Sequence, residues 1–183
     1  MRLAMKSWYA LSAIGRDRPG IVADLAELIY ECDCNLEDSS MTILGSEFAV
    51  LLLLSGDAPD LERHLSAGCK RLEWEKRLTV FFRPLDGDPH ARPAGRRAVP
   101  MVCEVNGVDQ AGIVARVSRT LADQHVNVTA LQTQSRPGPE SGTPMFTMRI
   151  RMAVPAELDR DVLRERLERV AADLRVDLTL REA

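Results

Sequence analysis

The sequence predicts an α+β chain made of two βαββαβ units, each a four-stranded antiparallel sheet with two helices on one face. Three observations carry that expectation: a widely spaced internal repeat, apolar spacings that run strand–helix–strand–strand–helix–strand in both copies, and a proline- and glycine-rich stretch between them. Gly15 to Ala23 (GRDRPGIVA) reappears as Gly107 to Ala115 (GVDQAGIVA), at an offset of 92 positions. At the same offset Leu25 meets Val117, Ile29 meets Leu121, and Asn35-Leu36 meets Asn127-Val128. A duplication seen only twice implies paired domains rather than a solenoid.

In the first copy, Trp8 to Ile14 is an apolar run of strand length and Gly15 to Gly20 a loop. Pro19 suits the first turn of a helix, where its missing N–H costs nothing. Ile21, Val22, Leu25, Leu28 and Ile29 then mark one face at helical spacing. Asn35 to Leu44 and Glu47 to Ser55 read as a hairpin turning on Gly45-Ser46. Pro59-Asp60 opens a second helix, with Leu61 and Leu65 on one face, and Leu78 to Phe82 closes as a strand. In the second copy Val99, Met101, Cys103 and Val105 alternate, as do Phe146, Met148, Ile150 and Met152 against Thr147, Arg149 and Arg151. Leu163, Leu167, Val170, Ala171 and Leu174 form a helical stripe, and Val176, Leu178 and Leu180 the last strand.

Prolines and glycines crowd the stretch from Pro84 to Pro100, which reads as an extended linker. The expected organisation is a first domain over 1–84, a linker over 85–98 and a second domain over 99–183. Ser135 to Pro144, with three prolines and two glycines, reads as a surface insertion that lengthens the second hairpin.

Composition narrows the function. The chain has 183 residues, 45% of them hydrophobic, which is enough for packed cores. Lys and Arg number 24 against 27 Asp and Glu, a net charge of −3, so no basic face for nucleic acid is expected. The longest apolar run, Phe48 to Leu54, is seven residues, far below the ~20 of a membrane helix. Arg2 and Lys6 have no apolar stretch behind them, so a secretory leader is not expected and the chain reads as cytoplasmic. Cys32, Cys34, Cys69 and Cys103 are then expected as reduced thiols. Cys32-x-Cys34 is one residue too short for a zinc knuckle and has no second ligand pair, so no metal or other cofactor is expected. The histidines, His64, His90 and His125, join no nucleophile, base and orienting partner, and no glycine-rich phosphate loop follows a strand. The chain does not read as an enzyme.

The repeated loop carries the chemistry. A helix N-terminus leaves backbone N–H groups unpaired and partly positive, which suits a carboxylate. Gly20 and Gly112 let a ligand approach the backbone. Asp17 and Asp109, three residues earlier, can accept from an ammonium, so the pair of charges fits a free α-amino acid. Asn35 and Asn127 open the following strands and offer a polar contact from the same sheet edge. The bland alternative stays open: Asp-x-Pro-Gly is also a turn with a helix cap, and Asn after a helix also supplies a left-handed stop.

The βαββαβ unit with Gly-Ile-Val at the helix start resembles the ACT domain, a ferredoxin-like module that binds small molecules, usually amino acids. Cys32-Asp33-Cys34-Asn35-Leu36-Glu37-Asp38-Ser39, Leu44 to Phe48 and Leu53-Leu54-Ser55-Gly56 look like the first domain of the glycine cleavage system transcriptional repressor family. The resemblance implies regulation without catalysis: a sensor of a small amino acid, glycine in that family, opposing a DNA-binding activator by binding it. The rival implication is a stand-alone ACT regulatory subunit of a metabolic enzyme. ACT ligands lie where two modules meet, at the first loop and helix start of one and the second strand of the other. Carried over by position, this selects Asp17, Arg18, Pro19, Gly20, Ile21 and Asn35 in the first copy. In the second it selects Asp109, Gln110, Ala111, Gly112, Ile113 and Asn127. Gln110-Ala111 in place of Arg-Pro is expected to loosen the second loop and alter its charge, so that its site is the weaker or takes a different ligand. Unpaired edge strands favour side-by-side docking of the two copies or of two chains as a homodimer.

Overall fold

The structure is a computed structural model that describes residues 6–90, 97–138 and 142–183. The chain divides into two units, Met1–Pro93 and Ala94–Ala183. Both repeat the βαββαβ order. The first contains β1 (Ser7–Arg16), α1 (Ile21–Glu31), β2 (Asn35–Leu44), β3 (Glu47–Gly56), α2 (Leu61–Lys76) and β4 (Thr79–Leu85). The second contains β5 (Ala98–Val108), α3 (Ile113–Asp123), β6 (Asn127–Pro137), β7 (Pro144–Pro155), α4 (Arg160–Leu174) and β8 (Asp177–Glu182). The sheets are antiparallel with strand orders β2-β3-β1-β4 and β6-β7-β5-β8.

Alternation places each core on the helix-covered face. Leu11 and Ala13 of β1, Phe48 and Leu54 of β3, Leu25 of α1 and Leu65 of α2 pack as one buried cluster. Cys103 and Val105, Met148 and Ile150, Leu121 and Leu163 belong to its counterpart. Val22, expected on the buried face of α1, is exposed; the stripe is Ile21, Leu25, Leu28 and Ile29. All four cysteines are free. Burial pushes the Cys103 thiol up to about 12, and Cys34 and Cys69 up to about 11.

Several elements run longer than the sequence predicts. β1 continues through Gly15, which pairs with Phe48 of β3, and glycine suits the position because a Cβ there would lie 2.7 Å from Leu78 Cδ2. Gly107 repeats the arrangement, 2.6 Å from Val176 Cγ1, so this pair of repeated glycines serves packing. Pro100 lies within β5 rather than in a linker. It pairs with Ala153 of β7, while on its other side β8 has ended and only the Ala183 N–H reaches its carbonyl. A proline without an N–H is tolerated there. Within the expected linker, residues 91–96 lie outside the described residues. Ser135, Arg136 and Pro137 belong to β6, so part of the expected loop is hairpin; residues 139–141 lie outside the described residues.

Candidate functional site

Both repeated loops hold the same backbone shape. Gly20 caps α1 at φ 91° and Gly112 caps α3 at φ 97°, in the left-handed region that favours glycine. Pro19 therefore precedes the cap rather than sitting in the first helical turn. Neither helix start receives a side-chain cap, so Asp17 and Asp109 do not act as caps and the first N–H groups of α1 and α3 stay open. Each aspartate is instead anchored through its backbone: Asp17 N–H donates to Ser46 O and Asp109 N–H to Pro144 O, both at 2.8 Å. The loops are thus tied to the neighbouring hairpin ends.

The side chains differ between the copies. Arg18 turns onto α1 and donates to Asp24 Oδ2 at 2.6 Å, with Lys76 of α2 at 3.1 Å from the other carboxylate oxygen. In the second copy the position of Asp24 is held by Arg116, which pairs with Asp173 at 2.6 Å. Gln110 donates to the carbonyl of Leu174 at the end of α4. Gln110 thereby ties the second loop to α4. Asp109 accepts from Ser135 Oγ at 2.6 Å, whereas the Asp17 carboxylate has no hydrogen-bond partner among the described residues.

The asparagines do not join the loops of their own units. Arg16 pairs with Glu47, which pairs with Leu44, whereas Trp8 pairs with Ser55, which pairs with Asn35. The helix start and Asn35 thus occupy opposite ends of the sheet, about 30 Å apart over ten residues of strand. Asn127 stands likewise opposite Ala153, far from the Asp109 end. The contact expected from the same sheet edge is absent within a unit, because α1 and α3 each carry the chain back the length of the sheet. Nor do the asparagines provide the left-handed helix stops. Asp33 and His125, both at φ 55°, do so, and the following N–H groups close onto Ile29 O and Leu121 O at 3.0 Å. Asn35 and Asn127 are left exposed at the start of edge strands whose whole length is exposed.

One cluster escaped the sequence reading. Glu37, at the bulge between Leu36 and Asp38, accepts from Ser55 Oγ and from Lys6 Nζ at 2.7 Å. Lys6 stands 4.6 Å over the Trp8 ring, and His90 meets that ring edge-on at 5.5 Å. Hydrogen bonds from Lys6 and Ser55 hold the Glu37 carboxyl below its ordinary range. The cluster adjoins Asn35. Its sequence signals are that Glu37 and Ser55 lie in two of the stretches that carry the family resemblance and that Glu37 becomes Thr129 in the repeat.

Hydrogen bonds from Arg18 and then Lys76 hold the Asp24 carboxyl below its ordinary value. A carboxyl harder to protonate in the folded state stabilises the fold fully above the unfolded value of about 4, and that contribution is lost as pH falls through the lower folded value. Asp24→Asn is therefore expected to lower the melting temperature near pH 7, with the gap to the native chain closing as pH falls below the ordinary carboxylate range. Melts across that range, followed by tryptophan fluorescence, test it.

Comparison with known proteins places these loops in a family. The ACT domain matches residues 10–82 and again residues 101–172. The chain is 25% identical over 177 residues to the glycine cleavage system transcriptional repressor of Escherichia coli (strain K12), covering 95% of this chain and 89% of that protein. The repressor of Shigella flexneri matches equally, with 25% identity over 177 residues. Among solved structures, an unknown protein from Galdieria sulphuraria superposes with a TM-score of 0.80 at 27% identity, over 98% of this chain and 99% of that one. The chain belongs to the ACT-domain family and carries two ACT domains in tandem.

Proposed function

We propose that this chain is a cytoplasmic, non-catalytic regulator that binds a small amino acid and acts through a protein partner. The observation that carries the reading is the uncapped helix start at Gly20 together with an Asp17 carboxylate that has no hydrogen-bond partner among the described residues. The first supplies N–H donors and partial positive charge for a carboxylate, and the second an acceptor for an ammonium. Glycine is the proposed ligand and a DNA-binding activator the proposed partner, by likeness to the repressors that match nearly the whole chain. Asn35 lies a strand's length from the loop, so its contact with the ligand comes from a second copy of the chain. Antiparallel pairing of two exposed β2 edges sets the Asn35 end of one beside the loop end of the other.

A ligand that binds only the folded state raises the melting temperature by mass action. Glycine is expected to do so and to give a saturable heat in calorimetric titration, with serine and alanine weaker. Silence across all twenty amino acids at millimolar concentration overturns the sensor reading. Affinity capture then separates the partners: a transcription factor supports gene regulation, and a metabolic enzyme replaces it with the regulatory-subunit reading.

A further inference from the structure

The first unit has a concavity apart from the Gly20 loop. It lies beside α2 and the edge strand β4, with a volume of about 820 Å³, and Tyr9 and Phe82 are among its lining residues. Helical spacing puts Arg63, Ser66, Ala67 and Lys70 of α2 along it, and the small Ser66 and Ala67 leave the space open. Tyr9 is only 6% exposed and its ring lies 6.2 Å from that of Phe82. Its hydroxyl has no hydrogen-bond partner among the described residues and is not sealed from solvent, and the residue lines the groove. A tyrosine this buried ordinarily finds a partner for its O–H.

The internal duplication supplies a control. Leu61, Leu65 and Leu72 of α2 match Leu163, Leu167 and Leu174 of α4, all buried. In that alignment Arg63, Ser66 and Lys70 become Glu165, Glu168 and Ala172, while Tyr9 becomes Met101 at the repeat offset. The scaffold is shared, but the hydroxyls of Tyr9 and Ser66 and the Lys70 ammonium have no counterpart at these positions, and the small Ala67 becomes Arg169 and Glu62 becomes Arg164. Arg63 faces Asp60 at 3.9 Å with Glu62 at the same end, so Lys70, which makes no ion pair among the described residues, is the unopposed cation.

We propose that this groove binds a small organic monocarboxylate. Its anion is held by the Tyr9 hydroxyl, Ser66 and Lys70, and its apolar body lies against Phe82 and Ala67. A doubly charged anion is disfavoured, because Asp60 and Glu62 repel it while one cation is unopposed.

Phenylacetate is the probe, titrated into the full chain and followed by amide chemical shifts. Saturable shifts at Tyr9, Ser66 and Lys70 are expected in the millimolar range, as suits a ligand of this size. Tyr9→Phe is expected to weaken binding roughly fivefold, the worth of one hydrogen bond, and Lys70→Glu by about tenfold or more. Gly20→Val leaves this titration unchanged, which separates the groove from the amino-acid site. The proposal is overturned if shifts at these residues do not saturate. It is also overturned if both groove variants, shown folded by Trp8 fluorescence, bind like the native chain, or if inorganic phosphate reproduces the shifts.

Discussion

Leu11→Ala is expected to remove about 2–5 kcal/mol from the stability of the first unit, the range for a leucine truncated in a close-packed core. Leu11 is 0% exposed in the inner strand β1, paired with Leu52 and Phe82 on its two sides. A loss of that size is a large part of the ~5–15 kcal/mol that holds a domain together. Both tryptophans, Trp8 and Trp74, lie in the first unit, and Trp8 is buried, so denaturation followed by tryptophan fluorescence reads that unit. Ile14→Ala is the contrast: Ile14 stands on the same strand at 51% exposure, and its loss is expected to cost at most about 0.5 kcal/mol. Equal costs for the two variants would contradict the assignment of the core to the helix-covered face.

Gly20→Val is expected to abolish most of the amino-acid titration heat, and Gly112→Val to leave much of it. A Cβ at Gly20 would come no nearer than 3.8 Å to Arg18 Nη1, and at Gly112 it meets nothing within 4 Å, so both variants have room. Both carry similar strain, since φ 91° and φ 97° disfavour a β-branched residue alike, at about 1–2 kcal/mol. Matched melts control for that strain. The difference then reports the proposed ligand, whose ammonium would meet an Asp17 with no hydrogen-bond partner among the described residues but an Asp109 already bound to Ser135. Equal loss of heat in two folded variants would refute the dominance of the first site. Ser135→Ala, which frees the Asp109 carboxylate, is the companion measurement and is expected to strengthen the second site.

Most of the architecture was legible in the chain, because burial on one face imposes a period on the residues that build it. The alternation of Met148, Ile150 and Met152 and the spacing of Leu163, Leu167 and Leu174 foretold β7 and α4. Boundaries were less legible where tertiary neighbours override local preference. Gly15 looked like a loop residue, yet it lies in β1, its size set by Leu78 as that of Gly107 in β5 is set by Val176. Pro100 looked like a linker residue, yet the end of β8 leaves its missing N–H harmless.

For the site, the sequence by itself determined which residues form the loop: the offset of 92 marks Asp17 to Ile21 and Asp109 to Ile113, and duplication preserves such local order. Only the tertiary structure decided what those residues do. It committed Arg18 to Asp24, Gln110 to Leu174 and Asp109 to Ser135, left Asp17 without a hydrogen-bond partner among the described residues, and set Asn35 a full strand away from its own loop. The physical reason is range. A turn and a helix start are specified by neighbours a few residues apart, whereas the partner of a charged side chain is chosen by the elements that folding packs beside it, 57 and 64 residues distant for Arg116–Asp173 and Gln110–Leu174.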